Sequence, residues 1–245
     1  MLAIDIETYS DVDLIKCGVY AYCDSPDFTI LLFGYAFDEE PVRVVDLANG
    51  ERLPEEVMAA LIDEAVVKVA FNAQFERVCL SRYLGIQLPV DAWQCSAVQA
   101  SMLALPLSLE GVGRVLGVEE QKLSEGKELI RYFCVPCKPT KANGGRVRNL
   151  PSDAPEKWQK FLAYNKRDVE VEREIRRKLH AFPIPSQELR FYHMDQRIND
   201  RGILVDQDLT ARAVECDLEY QAQARGRAYE LTGLENPNSV SQVKG

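Results

Sequence analysis

Short apolar runs in the first half of the chain alternate with segments in which apolar residues recur every three to four positions. The runs at 2–7, 30–37, 42–47 and 66–71 are rich in β-branched and aromatic residues, which predicts β-strands. The segments between them favour helices. The pattern therefore indicates an α/β domain with a mixed sheet.

Residues that start and stop helices mark several of the predicted ones. Pro54 suits the first turn of a helix over 53–64, and Asn72 can cap a second helix that Gly85 stops. The stretch 134–153 combines Pro, Gly and basic residues, which predicts a solvated loop. Further helices are predicted over 92–103, 108–116, 123–133, 155–180, 187–200 and 207–231.

Two prolines in the segment AFPIPS, at 181–186, predict a break between two parts of the chain. We expect a first domain over 1–182 and a second, all-helical part over 187–245. Because the second part ends without a closing element, the pattern predicts an incomplete helical segment.

Composition narrows the class of protein. The chain is 47% hydrophobic and 27% charged, which suits an ordinary soluble core. No run of about 18 apolar residues occurs and the N-terminus enters a strand directly, so we expect no membrane partner and no secretory signal. Seven irregularly spaced cysteines predict reduced thiols in a cytoplasmic protein. The CxxC pair Cys134 and Cys137 lacks the second pair that a structural zinc site needs.

The net charge of −9 argues mildly against tight binding to duplex nucleic acid, because such binders usually carry a basic surface. An acidic chain can still act on phosphodiesters where metal ions supply positive charge locally. The charge alone therefore neither supports nor excludes a nucleic-acid substrate.

Two acids interrupt the first apolar run, in LAIDIETYS, and two interpretations fit them. Asp5 and Glu7 are two residues apart, so in a strand their carboxylates point the same way, about 7 Å apart. They are either a surface-facing pair at the end of an edge strand or a pair that binds a cation. A buried carboxylate that has neither solvent nor a cation as a partner is energetically costly.

A third acid lies within the apolar face of the long helix predicted at 155–180. That face has helical spacing and comprises Phe161, Tyr164, Asp168, Val171, Ile175 and Leu179. Asp168 is either a hydrogen-bonded residue at the core edge or a ligand, and Tyr164 precedes it by one turn. Glu76 adds a fourth acid in the first turn of a helix, where the helix dipole alone would favour it. Together, four such acids suit two divalent, oxygen-preferring ions, Mg²⁺ or Mn²⁺.

The segments DIE, NAQFE and YNKRD, in this order, resemble the three motifs of the DnaQ-like 3′–5′ exonucleases. The Tyr-x-x-x-Asp form of the third segment is similar to the DEDDy branch, whereas the DEDDh branch would need a histidine where Ala163 stands. The resemblance covers about residues 1–180. It implies an RNase H-like fold, with a mixed β-sheet flanked by helices.

The same resemblance implies roles for the acids. Asp5, Glu7 and Asp168 would bind the two Mg²⁺ or Mn²⁺ ions, and Tyr164 would orient the attacking water. Glu76 stands where the family has its second aspartate. Glutamate is one methylene longer, so it would coordinate a metal directly or through an altered water bridge.

The C-terminal part carries a second resemblance. ELRFYHMDQRINDRGILVDQDL, followed by NPNSVSQVKG, is similar to the segment that joins exonuclease to thumb in family A, Pol I-like DNA polymerases of phage and prophage type. This implies a proofreading exonuclease that acts on the 3′ end of single-stranded DNA. Its partner would be the polymerase domain of the same longer chain, in the cytoplasm of a bacterial or phage-infected cell.

The residues that could contact the substrate each have two possible roles. Asn72 is a candidate contact that also suits a helix cap, and Phe75 and Tyr9 could stack on bases or belong to the core. Four basic residues either contact phosphates or are solvated residues of a flexible loop: Lys138, Lys141, Arg146 and Arg148. Two alternative functions also remain, an RNase D-like RNA 3′ exonuclease and a catalytically degenerate module that braces a polymerase.

Overall fold

The computed structural model describes residues 1–118 and 126–244, which include one five-stranded sheet. Its strands are β1 (Leu2–Tyr9), β2 (Thr29–Phe37), β3 (Arg43–Asp46), β4 (Lys68–Ala70) and β5 (Trp93–Cys95). The strand order is β3-β2-β1-β4-β5, so β1 lies at the centre. Because β1 pairs antiparallel with β2 and parallel with β4, the sheet is mixed, as predicted.

Helices lie between and after the strands along the chain. They are α1 (Leu14–Asp24), α2 (Glu55–Ile62), α3 (Ala73–Leu84), α4 (Ser96–Met102), α5 (Leu109–Val115), α6 (Gly126–Phe133), α7 (Pro155–Leu179), α8 (Ser186–Arg201), α9 (Gln207–Thr232) and α10 (Val240–Lys244). The α/β architecture that the hydrophobic pattern predicts is therefore confirmed. Among the described residues, no helix combines the length and apolarity that crossing a bilayer requires.

Several local predictions differ from the structure. The helix α1 is absent from the predictions because Gly18, with φ of 74°, interrupts its periodicity. The helix predicted at 92–103 begins instead as β5, a strand too short to give a clear alternation. Residues 123–125 of another predicted helix lie outside the described residues. Asn72 precedes α3 as predicted, but it adopts a left-handed conformation and its side chain makes no capping hydrogen bond.

The loop predicted at 134–153 is ordered by hydrogen bonds rather than freely solvated. The Cys137 N–H donates to the Val147 carbonyl at 2.7 Å, which closes the loop on itself. The buried Asn149 side chain donates to the Tyr132 carbonyl at 2.8 Å, which ties the loop to α6. A short 3₁₀ turn at Pro151–Asp153 then leads into α7.

The two faces of β1 pack against different layers. Leu2, Ile4 and Ile6 enter the larger apolar cluster, whereas Ala3 packs with Val169 of α7 on the opposite face. Alternate residues of a strand share a face, so Asp5 and Glu7 lie on the α7 side of the sheet. The central strand and the longest helix of the sheet domain thus form the two walls of one site.

The chain divides into two compact units, Met1–Arg197 and Ile198–Gly245. The AFPIPS break separates α7 from α8 but lies within the first unit. In the second unit, α9 has no buried residue along its length. The predicted division at 182 and 187 stays a prediction.

Candidate metal centre and adjoining cleft

Asp5 and Glu7 lie on the central strand of the sheet, which excludes a pair at an edge. Glu7 is 8% exposed, and Asp5 is half-buried. Two carboxylates on one face of a covered strand repel each other unless a cation or a proton compensates them. Of the two sequence interpretations, the position on β1 favours the cation.

The helix α7 carries the third carboxylate to the same place. Asp168 is buried on the face of α7 that packs against the sheet. One carboxylate oxygen from each of Asp5, Glu7 and Asp168 lies within 4.8 Å of the others. We call these three residues the acid cluster. Its oxygen-only ligands match the preference of hard divalent cations such as Mg²⁺ and Mn²⁺.

Asn165 holds the first member of the acid cluster in place. Its Nδ2 donates to Asp5 Oδ2 at 2.6 Å and to the Asp5 carbonyl at 3.2 Å. Gly34, the residue opposite Asp5 on β2, makes room for this amide. A Cβ at position 34 would lie 2.6 Å from Asn165 Oδ1 and 3.0 Å from Val169 Cγ2.

Glu76 lies in the first turn of α3, outside the acid cluster but within electrostatic reach of it. The side chain is buried, and its Oε2 has no hydrogen-bond partner among the described residues. Burial raises the pKa of Glu76 well above its usual value, and the charges of Asp5 and Glu172 raise it further. A buried carboxyl oxygen without a donor, within electrostatic reach of Asp5, fits a cation site.

Glu172 is a further buried acid, one turn after Asp168 on α7. Ser96 Oγ donates to its Oε1, and burial raises the pKa of the carboxyl. Sequence reasoning missed Glu172, although its position four residues after Asp168 is the available signal.

Tyr164 is fully buried one turn before Asp168 and stacks on Phe161, with ring centroids 6.1 Å apart and planes at 13°. Gly126 of α6 lies so close to the tyrosine ring that a Cβ there would overlap it. Burial and the charges of Asp168 and Glu7 raise the pKa of Tyr164. Its hydroxyl therefore stays protonated at neutral pH, so it can orient a neighbour but cannot act as a base.

The Cys134 thiol lies next to the acid cluster and contacts Glu7. Its buried Sγ donates to Glu7 Oε2 at 3.8 Å, a long and weak bond. Burial raises the pKa of this thiol well above its usual value, and the charge of Glu7 adds to that effect, so it remains a neutral donor. Sequence reasoning treated Cys134 only as half of a CxxC pair.

A cleft of about 490 Å³ opens beside Glu7. Its wall is mainly apolar and includes Ile6, Tyr22, Phe75, Ile130 and Pro136. The Phe75 and Tyr22 ring centroids are 6.1 Å apart, so two aromatic rings line one side. The cleft is large enough for a heterocyclic ring and directly adjoins the acid cluster.

The other two candidate substrate residues lie elsewhere. Asn72 is exposed at the start of α3 and is not part of the cleft wall. Tyr9 is 4% exposed, and the guanidinium of Arg148 covers its ring, with Cζ 3.9 Å from the ring centroid. Base stacking on Tyr9 would require Arg148 to move away.

Comparison with known proteins gives a partial match. No family model matches the chain. The chain is 53% identical over 243 residues to a DNA polymerase of Bacillus phage SP02, which covers 99% of this chain and 38% of that protein. The chain thus spans well under half the length of this relative.

Two solved structures are similar in fold. A nuclease in its apo form has a TM-score of 0.51 and 16% identity, over 80% of this chain and 79% of that one. The POL domain of Pol1 from M. smegmatis, in a complex with DNA primer-template and dNTP, has a TM-score of 0.50 and 14% identity. That match covers 99% of this chain and 35% of the other. At these identities, the similarity shows a shared fold.

Proposed function

We propose, from the premise that this chain is a homologue of part of a phage DNA polymerase, that it is a metal-dependent 3′–5′ exonuclease that proofreads within a longer polymerase. The observation that carries the proposal is the acid cluster, in which Asp5, Glu7 and Asp168 converge from the central strand and α7. The similar fold of a nuclease is compatible with this reaction class, and the acid cluster supplies the chemistry. The reaction is hydrolysis of the 3′-terminal phosphodiester.

The ligands would be Asp5, Glu7 and Asp168, with Glu76 completing a set of four carboxylates for two Mg²⁺ or Mn²⁺ ions. When bound, such ions lower the pKa of a water and neutralise the leaving oxygen. The chain holds the ligands in position, because Asn165 fixes the Asp5 carboxylate and the packing of α7 fixes Asp168. It needs no nucleophilic side chain.

Tyr164 would orient the water for in-line attack. Its protonated hydroxyl lies one turn from Asp168, on the face of α7 that packs against β1. The water oxygen forms a bond to phosphorus as the bond to the 3′ oxygen of the preceding nucleotide breaks. The products are a nucleoside 5′-monophosphate and a strand shortened by one residue with a free 3′ hydroxyl.

The cleft beside Glu7 would hold the base of the terminal nucleotide. Apolar and aromatic walls, with Phe75 and Tyr22 on one side, accept any base by contact with its flat face. Such a site suits proofreading, because the mispaired nucleotide can be any of the four. The module would act in the cytoplasm of a bacterial or phage-infected cell.

A time course on labelled oligonucleotides tests the proposal. With Mg²⁺, we expect a 5′-labelled single strand of DNA to give a ladder of successively shorter products, and a 3′-labelled strand to release labelled mononucleotide at once. Faster degradation of an RNA strand of the same sequence would favour the RNase D-like alternative. Intact substrate under all conditions would favour the degenerate module.

A further inference from the structure

The loop after α6 holds one arginine in a fixed position next to β1. Arg146 forms an ion pair with Asp153 at 3.1 Å, and Asn149 is buried with its amide on the Tyr132 carbonyl. Arg148 lies between these two anchors in sequence. Its backbone is therefore held on both sides, although the loop has no regular secondary structure.

The Arg148 side chain reaches the end of the strand that carries the acid cluster. Its guanidinium lies over the Tyr9 ring, with Cζ 3.9 Å from the centroid. Tyr9 follows Glu7 by two residues on β1, which corresponds to about 7 Å along a strand. Tyr9 also packs in the same apolar cluster as Tyr164. Arg148 thus lies beside the proposed centre, on its α7 side.

Arg148 differs from Arg146 in what its guanidinium binds. Arg146 donates its Nε to Asn149 Oδ1 at 2.9 Å and pairs with Asp153. Within the described parts of the chain, Arg148 forms no ion pair, and its buried Nε has no acceptor. Burial also lowers the pKa of Arg148, and the charge of Asp27 opposes this shift only in part.

A stacked guanidinium with free donors is a recognised form of phosphate site. Arginine presents its N–H groups in a planar fork that matches two phosphate oxygens, and an aromatic platform fixes the plane of that fork. A polyanionic strand that approaches three carboxylates needs a compensating positive charge close by. The three carboxylates of the acid cluster and the net charge of −9 both increase this requirement.

We infer that Arg148 binds a backbone phosphate of the single strand whose 3′ end lies at the acid cluster, with Tyr9 as the platform of the guanidinium. The inference rests on the proposed function. It also changes the role expected for Tyr9, which supports an arginine instead of stacking on a base. The phosphate is a non-scissile one, since the scissile group belongs at the acid cluster.

The test compares R148Q with R52Q, which removes the same charge from an exposed residue outside this loop. Binding of a 5′-fluorescein oligodeoxythymidylate to the 245-residue chain is measured by anisotropy in EDTA, at several salt concentrations. We expect R148Q to weaken binding about tenfold or more and to lower the salt slope by about 0.7. R52Q should behave like the wild type. Equal binding and slope in R148Q and R52Q, or no binding by the wild type, would overturn the inference.

Thermal unfolding controls for loss of structure, and R148K decides the matter if R148Q does not fold. Lysine keeps the charge but loses the planar fork, so we expect weaker binding with an unchanged salt slope. R148K with wild-type affinity would also overturn the inference. Hydrolysis by the wild type in Mg²⁺ separates the two proposals. If the wild type hydrolyses DNA while R148Q binds like R52Q, only the inference about Arg148 fails.

Discussion

The Asn165 amide donates to the Asp5 carboxylate at 2.6 Å and to the Asp5 carbonyl at 3.2 Å, which fixes both the side chain and the backbone of one candidate ligand. The bond to Oδ2 restricts rotation of the carboxylate, and the bond to the carbonyl holds the amide close to the Asp5 backbone. We therefore expect Asn165 to be a positioning residue for the metal centre, although it binds no metal itself.

Replacing Asn165 by alanine should weaken Mn²⁺ binding about 10- to 100-fold, because Asp5 is then free to adopt other rotamers. Isothermal titration with Mn²⁺ measures this directly. Asn49→Ala is a matched control, since it removes an amide that donates to Asp46 at 2.7 Å on the exposed surface. Equal Mn²⁺ affinity in both variants would show that the Asn165 bond has no positioning role.

Gly34→Ala should destabilise the fold by about 1–3 kcal/mol, because the new methyl group would push against Asn165 and Val169. The same displacement should weaken Mn²⁺ binding. Gly113→Ala is the control, because a Cβ there would meet Val171 and Val118 at ordinary distances of 3.7 and 3.8 Å. Urea unfolding measures the free energy of unfolding of both variants. A Gly34→Ala chain as stable as the Gly113→Ala chain would contradict the steric argument.

Glu76→Gln should stabilise the metal-free chain at neutral pH. Because the folded-state pKa of Glu76 is raised well above the usual value of about 4.5, its contribution to stability is fully present below about 4.5 and is lost as pH rises through the folded pKa. Glutamine stays neutral, so its advantage over the wild type should grow with pH and vanish in acid. Free energies of unfolding in EDTA across this pH range provide the measurement, with the exposed Glu64→Gln as control. A pH-independent difference would refute the raised pKa.

Tyr164→Phe should slow hydrolysis on the order of 100-fold while leaving Mn²⁺ affinity near the wild-type value, if the hydroxyl orients the water. The ring and its stacking on Phe161 are retained. Tyr132→Phe, which removes a hydroxyl from the neighbouring aromatic cluster, should hydrolyse DNA normally. Single-turnover rates at saturating metal give the comparison, and a fully active Tyr164→Phe chain would remove the hydroxyl from the mechanism.

Periodicity was sufficient to predict the acids on the two walls of the site. The two-residue spacing of Asp5 and Glu7 predicted a shared face, and helical spacing predicted that Asp168 lies within a packed surface. Both are local properties of a strand or a helix, so they can be predicted from the spacing of residues along the sequence. The resemblance to part of a phage DNA polymerase is confirmed by the relative that is 53% identical, and the predicted α/β fold is confirmed by the similar fold of a nuclease structure.

Contacts between distant segments could not be predicted in this way. The pairing of Asp5 with Gly34 depends on the strand register, and the amide of Asn165 enters only because that register leaves a gap. The stacking of Arg148 on Tyr9 depends on a loop whose hydrogen bonds follow no periodic pattern. Such relationships arise from tertiary packing, which spacing along the chain does not encode.

Hydrolysis by the wild-type chain and by Asp168→Ala tests the central claim most directly. Both proteins are incubated with a 5′-labelled single strand of DNA in Mg²⁺, with parallel reactions in EDTA. We predict stepwise shortening from the 3′ end only by the wild type and only with Mg²⁺, because Asp168 closes the acid cluster. Equal rates for the two proteins, or equal rates with and without Mg²⁺, would contradict a metal-dependent exonuclease built on these carboxylates.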